Sequence, residues 1–161
     1  MVEIKLVEVE IPEGCNVMVG QSHFIKTVED IYETIAESGM SVKFGFAFCE
    51  ASQKRLVRSD GNEAELIKHA EKEAMKLGAG HSFILFLKEG FPINIVNRVQ
   101  EVSEVTTLYA ATANPLKVVV AEDGEQRGIL GVLDGMKPLG VEGKEDKEER
   151  KEFLRRIGYK R

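Results

Sequence analysis

VMVGQSHFIKTVEDIYETI, residues 17–35, holds the change of period on which the reading of the whole chain turns. Asn16 to Val19 is a short apolar run of the kind that forms a strand. From Gly20 onward the apolar residues Phe24, Val28, Ile31 and Ile35 recur at helical spacing, and Gly39 supplies a stop. A strand that releases the chain straight into an amphipathic helix is a building unit of α/β folds. The flanks repeat the theme. Upstream, Val2, Ile4 and Leu6 alternate and then shift phase to Val7, Val9 and Ile11, which predicts a strand with a bulge or bend. Downstream, Val42 to Cys49 places Phe44, Phe46 and Phe48 on one strand face.

Further along, the polar stretch Glu50 to Asn62 carries a short strand around Arg55 to Arg58 and the turn signal Ser59-Asp60-Gly61-Asn62. Asn62 with Glu65 is placed to cap a second helix, whose stripe is Leu66, Ala70, Ala74 and Leu77 and whose end is Gly78. Ser82 to Leu87 is apolar throughout, as in a central strand covered on both faces. Pro92 suits the first turn of a third helix carrying Ile95, Val99 and Val102. Val105–Thr112, Lys117–Ala121 and Gly128–Leu133 read as three more strands. A charged helix from about Glu145 closes the chain, and its narrow stripe of Phe153, Leu154 and Ile157 needs a groove elsewhere. The expectation is an α/β fold: one compact domain over residues 1–161, with a mixed β-sheet flanked by helices.

Composition sets the outer bounds. The 161 residues include 22 Lys and Arg against 27 Asp and Glu, a net charge of −5, with 43% hydrophobic and 30% charged residues. A chain of this length buries roughly 70% of its unfolded surface without disulfides or a structural metal. The acidic balance argues against a general nucleic-acid binder, which needs a basic field to displace counterions. No segment reaches the ~20 apolar residues of a membrane-spanning helix, and the acidic N-terminus does not resemble a signal peptide, so a cytoplasmic protein is expected. Cys15 and Cys49 form no CxxC pattern and are expected as two reduced thiols.

Two segments carry the candidate chemistry. In Gly20-Gln21-Ser22-His23-Phe24-Ile25-Lys26, a strand feeds a helix N-terminus, where unpaired N–H groups and the dipole favour an anion. Gly20 permits close approach there, and Ser22, His23 and Lys26 are donors for a phosphate. The alternative is that Ser22 or Thr27 is a cap and His23 merely solvated. In Gly78-Ala79-Gly80-His81-Ser82, two glycines end a helix and set His81 and Ser82 at the mouth of a buried strand; alternatively Gly80 only provides a positive-φ turn. His69, mid-helix among charged residues, reads as surface.

Other positions are more open. Asn94 and Asn97 either read a base or ribose or face solvent. Thr112 and Asn114 lie in the small-residue run ATANP, which either admits a flat ligand or makes a tight turn. Glu122, Asp123 and Asp134 flank the last hairpin and either hold Mg²⁺ beside substrate phosphates or are turn residues. No Walker A or Rossmann fingerprint is present, so any ATP handling uses another architecture. The last seven residues carry four positive charges, either for phosphates in a neighbouring subunit or as helix C-terminal cations. With no Trp in the chain, adenine stacking would fall to Phe, Tyr or aliphatic walls.

Taken together, GQSHFIKTVED, GAGHSFILFL, FPINIVN, ATANP and GILGVLDGMKPLGVE resemble the adenosine-specific kinase family, in the family's order, from about Cys15 to Tyr159. The resemblance implies a compact α/β subunit, a homo-trimer or hexamer, and a site for adenosine or AMP. It also implies kinase-like phosphoryl transfer, with ATP and Mg²⁺ as possible requirements and a phosphohistidine as a possible intermediate; a non-catalytic AMP or adenosine sensor is the alternative. Carried over by motif, His23, His81 and Lys26 are the catalytic candidates. Gly20, Gln21, Ser22, Gly80, Ser82, Asn94, Asn97, Thr112, Asn114 and Asp134 are the nucleotide-binding candidates. No protein ligands to a metal are assigned.

Overall fold

A computed structural model describes residues 1–39 and 41–161. Eight strands, β1 (Glu3–Val9), β2 (Asn16–Ser22), β3 (Lys43–Cys49), β4 (Val57–Gly61), β5 (Ser82–Lys88), β6 (Val105–Thr112), β7 (Leu116–Asp123) and β8 (Gln126–Asp134), make up two sheets. The helices are α1 (Thr27–Ala36), α2 (Ala64–Leu77), α3 (Val96–Glu101) and α4 (Lys144–Arg156), with a 3-10 turn at Pro92–Asn94.

The α/β class stands, but the expected mixed sheet is two antiparallel ones. β4-β3-β5-β2-β6 form a five-stranded sheet and β1-β7-β8 a three-stranded one, with every pair antiparallel. Interleaved strands and helices suggested parallel crossovers. The strands that a helix connects, β2 with β3, β4 with β5 and β5 with β6, do run in the same direction, but in each case one strand of opposite direction lies between them, so no parallel pair is hydrogen-bonded.

Alternation along the central strands divides the core by face. Phe44, Phe46 and Phe48 of β3, with Phe83, Leu85 and Leu87 of β5 and Met18 of β2, pack under α1 and α3 through Ile31, Ile35, Ile95 and Val99. The opposite residues, Val17, Val19, Ala47, Ile84 and Phe86, pack against α2 and against Val118 and Val120 of the small sheet. The order is therefore α1 and α3, then the five-stranded sheet, then α2 beside the three-stranded sheet. β3 explains why α2 sits so close: a methyl group on Gly45 would stand 2.3 Å from the backbone nitrogen of Ile67.

Several local expectations are corrected. Asn62 does not cap α2; its Oδ1 accepts the Phe44 N–H at 2.8 Å and its Nδ2 donates to the Val42 carbonyl, so it ties the β4–α2 turn to β3. His69 is half-buried at the surface but engaged: its Nε2 lies 2.6 Å from the Glu10 carbonyl and its ring meets Phe86 edge-on at 4.7 Å. Gly78 does end α2 in the left-handed region, and both cysteines are free and buried. The stripe on α4 finds no groove within the chain, because no residue of that helix is buried.

Candidate functional site

The two histidine segments meet at one end of the large sheet. Gln21 pairs with Ser82 across β2 and β5, and just beyond that pair the Ser22 N–H donates to the His81 carbonyl at 2.9 Å. The His81 N–H in turn donates to the Cys49 carbonyl at 2.8 Å, while the His23 N–H donates to the Glu104 carbonyl at 3.1 Å. Three strand ends, those of β2 and β3 and the start of β6, thus hold the two histidines by main-chain bonds, which fixes them without spending their ring nitrogens.

His81 is held most tightly. Its backbone is left-handed at φ 64°, unusual for a residue with a Cβ and a common mark of functional turns. Its ring stacks on Phe48, with centroids 6.0 Å apart and planes 9° apart. The positive φ falls on His81 and not on Gly80, so the expected glycine turn is corrected. His23 is exposed beside exposed Phe24 and Ile25, which leaves an apolar wall next to an imidazole.

The other members of the first loop serve the scaffold. Gly20 is buried, and a Cβ there would lie 2.4 Å from the Phe83 ring, so its lack of a side chain admits Phe83 and not a ligand. Gln21 accepts the Tyr109 hydroxyl at 2.8 Å through Oε1. Ser22 is fully buried, its hydroxyl 2.6 Å from that of Thr27, which also donates to the Phe24 carbonyl. Ser82 is buried and donates to the Ala79 carbonyl at 2.6 Å. Neither serine nor threonine caps α1 by side chain, and Glu29 and Asp30 in its first turn already answer its positive end. The side-chain donors left to the loop are His23, Lys26 and Gln21 Nε2, beside main-chain groups.

Lys26 is engaged: its Nζ lies 2.6 Å from Asp30 Oδ2 and 3.7 Å from Glu104 Oε2. The Asp30 pairing holds the Lys26 ammonium above its ordinary range, and the same cation draws the Asp30 carboxyl below its own. Burial pushes the Glu104 carboxyl the other way, upward, helped by Asp30.

Residues with no warning in the sequence complete the site. Arg58 reaches over from β4, donating to the Ile25 carbonyl at 3.1 Å and to Glu50 Oε1 at 2.6 Å. It stands beside the His81 turn because Phe48, the residue under the His81 ring, pairs with Arg58 across β3 and β4. On the other side of the turn lies a cleft of about 650 Å³ lined by Cys49, Glu50, Lys54, Arg55, Gly80 and Arg127, among others. That volume falls in the range of small-ligand sites.

The remaining candidates lie elsewhere. Thr112 pairs with Val17 at the opposite end of β2, and its hydroxyl accepts the Asn114 N–H at 3.0 Å. Asn114 Nδ2 stands 3.5 Å from Asp134 Oδ1, so these three form a group of their own. Asn94 sits just past the end of β5 that is remote from His81, its Oδ1 accepting the Phe91 N–H at 3.0 Å, and exposed Asn97 follows one turn later. Seven-residue β2 separates the two groups by about 20 Å. Among the described residues, no cluster of three or more His, Cys, Asp or Glu side chains is placed to hold a metal ion, and Glu122 and Asp134 lie at opposite ends of the β7–β8 pair, so the three carboxylates suggested for Mg²⁺ do not converge. Glu122 is instead taken by Lys5 and Arg127.

The structure is thus an antiparallel α/β domain with two histidine turns at one sheet end, flanked by Lys26 and Arg58. Residues 7–160 match the family described as adenosine specific kinase, and the chain belongs to that family. Its fold is shared by the PH1918 protein of Pyrococcus horikoshii OT3, whose crystal structure is 40% identical, superposes with a TM-score of 0.95, and is covered over 99% of its length by 100% of this chain. No curated protein matches the chain. No helix among the described residues is long and apolar enough to cross a membrane.

Proposed function

We propose that the chain binds adenosine or AMP at the paired histidine turns and transfers a phosphoryl group through His81. The observation that carries this reading is the main-chain bond of 2.9 Å from Ser22 to His81, which sets both histidines at one sheet end beside Lys26 and Arg58. His81 is the better nucleophile of the two because its ring is oriented by Phe48 and its backbone by two bonds, so little ordering remains to be done when a phosphate arrives. A ring nitrogen attacks the terminal phosphorus of a nucleoside triphosphate; the N–P bond forms as the P–O bond to the diphosphate breaks. In the second step the 5′-hydroxyl of adenosine forms an O–P bond, the N–P bond breaks, and the hydroxyl proton passes to water. Lys26 and Arg58 supply the positive groups on which charge at the phosphoryl oxygens is stabilised, and His23 adds a ring nitrogen beside them. Phe24 and Ile25 provide the apolar wall for the base. With ATP and adenosine, wild type should form AMP and carry acid-labile phosphate. Persistence of both in His81→Ala would remove His81 from the role, and AMP binding without turnover under any donor or metal would favour the sensor.

We further propose that the chain acts as a trimer or hexamer. The outer face of the small sheet exposes Ile4 and Leu6, 69% and 58% accessible, and a side chain at Gly128 or Gly131 would meet no atom within 4 Å. α4 offers exposed Phe153 and Ile157. Such surface is unusual for a monomer. In an assembly, the group of Asn94, Asn97, Thr112, Asn114 and Asp134 reaches a nucleotide at the histidines only from a neighbouring copy. Light scattering that gives a monomer at working concentrations sinks this reading.

A further inference from the structure

Glu104 is the most isolated charged group at the site. Its side chain is 2% accessible, and neither carboxylate oxygen has a donor; the Asp30 carboxyl stands in hydrogen-bonding reach, which two ionised carboxylates cannot use. The nearest cation, Lys26, stands 3.7 Å away and is bound closely to Asp30 instead. A carboxylate removed from water with no donor is costly, and the ordinary outcome is that it keeps its proton. The charged groups acting on it come from the start of α1, Lys26 and Asp30. Of its other neighbours, α3 carries Arg98, which pairs with Glu37, and exposed Glu101, while β6 carries no charged residue. Meanwhile its main-chain carbonyl holds His23.

We infer that Glu104 keeps a proton that it shares with the Asp30 carboxylate, and that this leaves Lys26 free to turn from Asp30 to a phosphate group at the His23 loop. The inference rests on reading that loop as a phosphate site. With Glu104 neutral, a single negative charge competes with the ligand for the Lys26 ammonium. When Lys26 leaves, Asp30 keeps a hydrogen-bond donor in Glu104, and no second buried charge is exposed. Once Glu104 ionises, two carboxylates grip Lys26 and the phosphate must displace both. Glu104 is thus a positioning residue, acting on the ligand through Lys26.

The test compares AMP affinity of wild type and Glu104→Gln from about pH 5 to about pH 9. Glutamine keeps the size and the donor, and cannot ionise. The two proteins should bind equally at the acid end. Above the Glu104 midpoint the variant should bind tighter, by up to about tenfold per pH unit, since one proton is linked to binding. The second ionisation of the AMP phosphate is common to both and cancels in the ratio. A ratio independent of pH overturns the inference, as does a pH-dependent ratio that survives in a Lys26→Met background.

A ligand-free arm separates the inference from the site reading. The raised carboxyl binds its proton more tightly when folded, so wild type should lose denaturant stability relative to Glu104→Gln as pH rises through the Glu104 midpoint. A constant difference overturns the proton. Asp30→Asn is the second variant; by removing the sharing partner it should move that loss to lower pH, and no movement overturns the sharing. If wild type binds no AMP at any pH, the site reading and the Lys26 step both fall, while the stability arm still judges the proton on Glu104.

Discussion

At the scale of the residue, His81 shows how backbone and side chain are matched. Its left-handed φ of 64° is tolerated by asparagine better than by alanine, because a short polar side chain bonds locally in that region. His81→Asn should therefore be more stable than His81→Ala by about 1 kcal/mol in urea titration, although both lose the stack on Phe48. Both should lose acid-labile phosphate, and an Asn variant that keeps it would exclude His81 as acceptor. Gly20→Ala forces a methyl group to 2.4 Å from Phe83 and should cost about 1–3 kcal/mol by overpacking. The sequence marked Gly20, His23, Lys26 and His81 as unusual but misjudged Gly20, because the face it presents depends on Phe83, a residue of β5. Arg58, Phe48 and Glu104 were not legible. They arrive from β4, β3 and the start of β6, and no spacing along the chain relates them to the histidines.

Among the elements, the close seat of α2 on β3 is the firmest constraint. Gly45→Ala would place a methyl group 2.3 Å from the Ile67 backbone nitrogen, where no side-chain rotation relieves it. A loss of at least about 3 kcal/mol in denaturant titration is expected, larger than for Gly20, where the obstacle is a ring that can shift. α4 stands at the other extreme. Since none of its residues is buried, deleting residues 144–161 should leave amide-exchange protection of the remaining elements unchanged while light scattering shows a smaller assembly. Loss of protection in the central sheet would show that α4 supports its own subunit. Periodicity found both helices with similar ease, since it reports an apolar stripe and not what covers it.

Across the whole molecule, the small sheet is latched to the rest by Arg127. Its guanidinium pairs with Glu122 of β7 and donates to the Lys76 and Leu77 carbonyls at the end of α2, 3.3 and 3.0 Å away. Lys5 of β1 adds a second cation at 2.5 Å from Glu122. The two hold the Glu122 carboxyl below its ordinary range, Lys5 foremost. A depressed carboxyl contributes stability that is present above the unfolded value and lost as pH falls through the folded one. Glu122→Gln should therefore melt below wild type at neutral pH, and the difference should vanish in acid; a difference that persists there would mean the pairing is not the cause.

The sequence alone determined the order and type of the elements, the α/β class and the two histidine turns, because alternation, helical spacing and glycine stops are local properties of the chain. It also carried the family resemblance through motifs that run in order along it. Strand partners, the division into two antiparallel sheets and the convergence of Arg58 and Glu104 on His81 and His23 were decided only by tertiary structure. Pairing direction depends on where each helix returns the chain, and a buried carboxyl is defined by what surrounds it; neither is a property of any stretch of sequence.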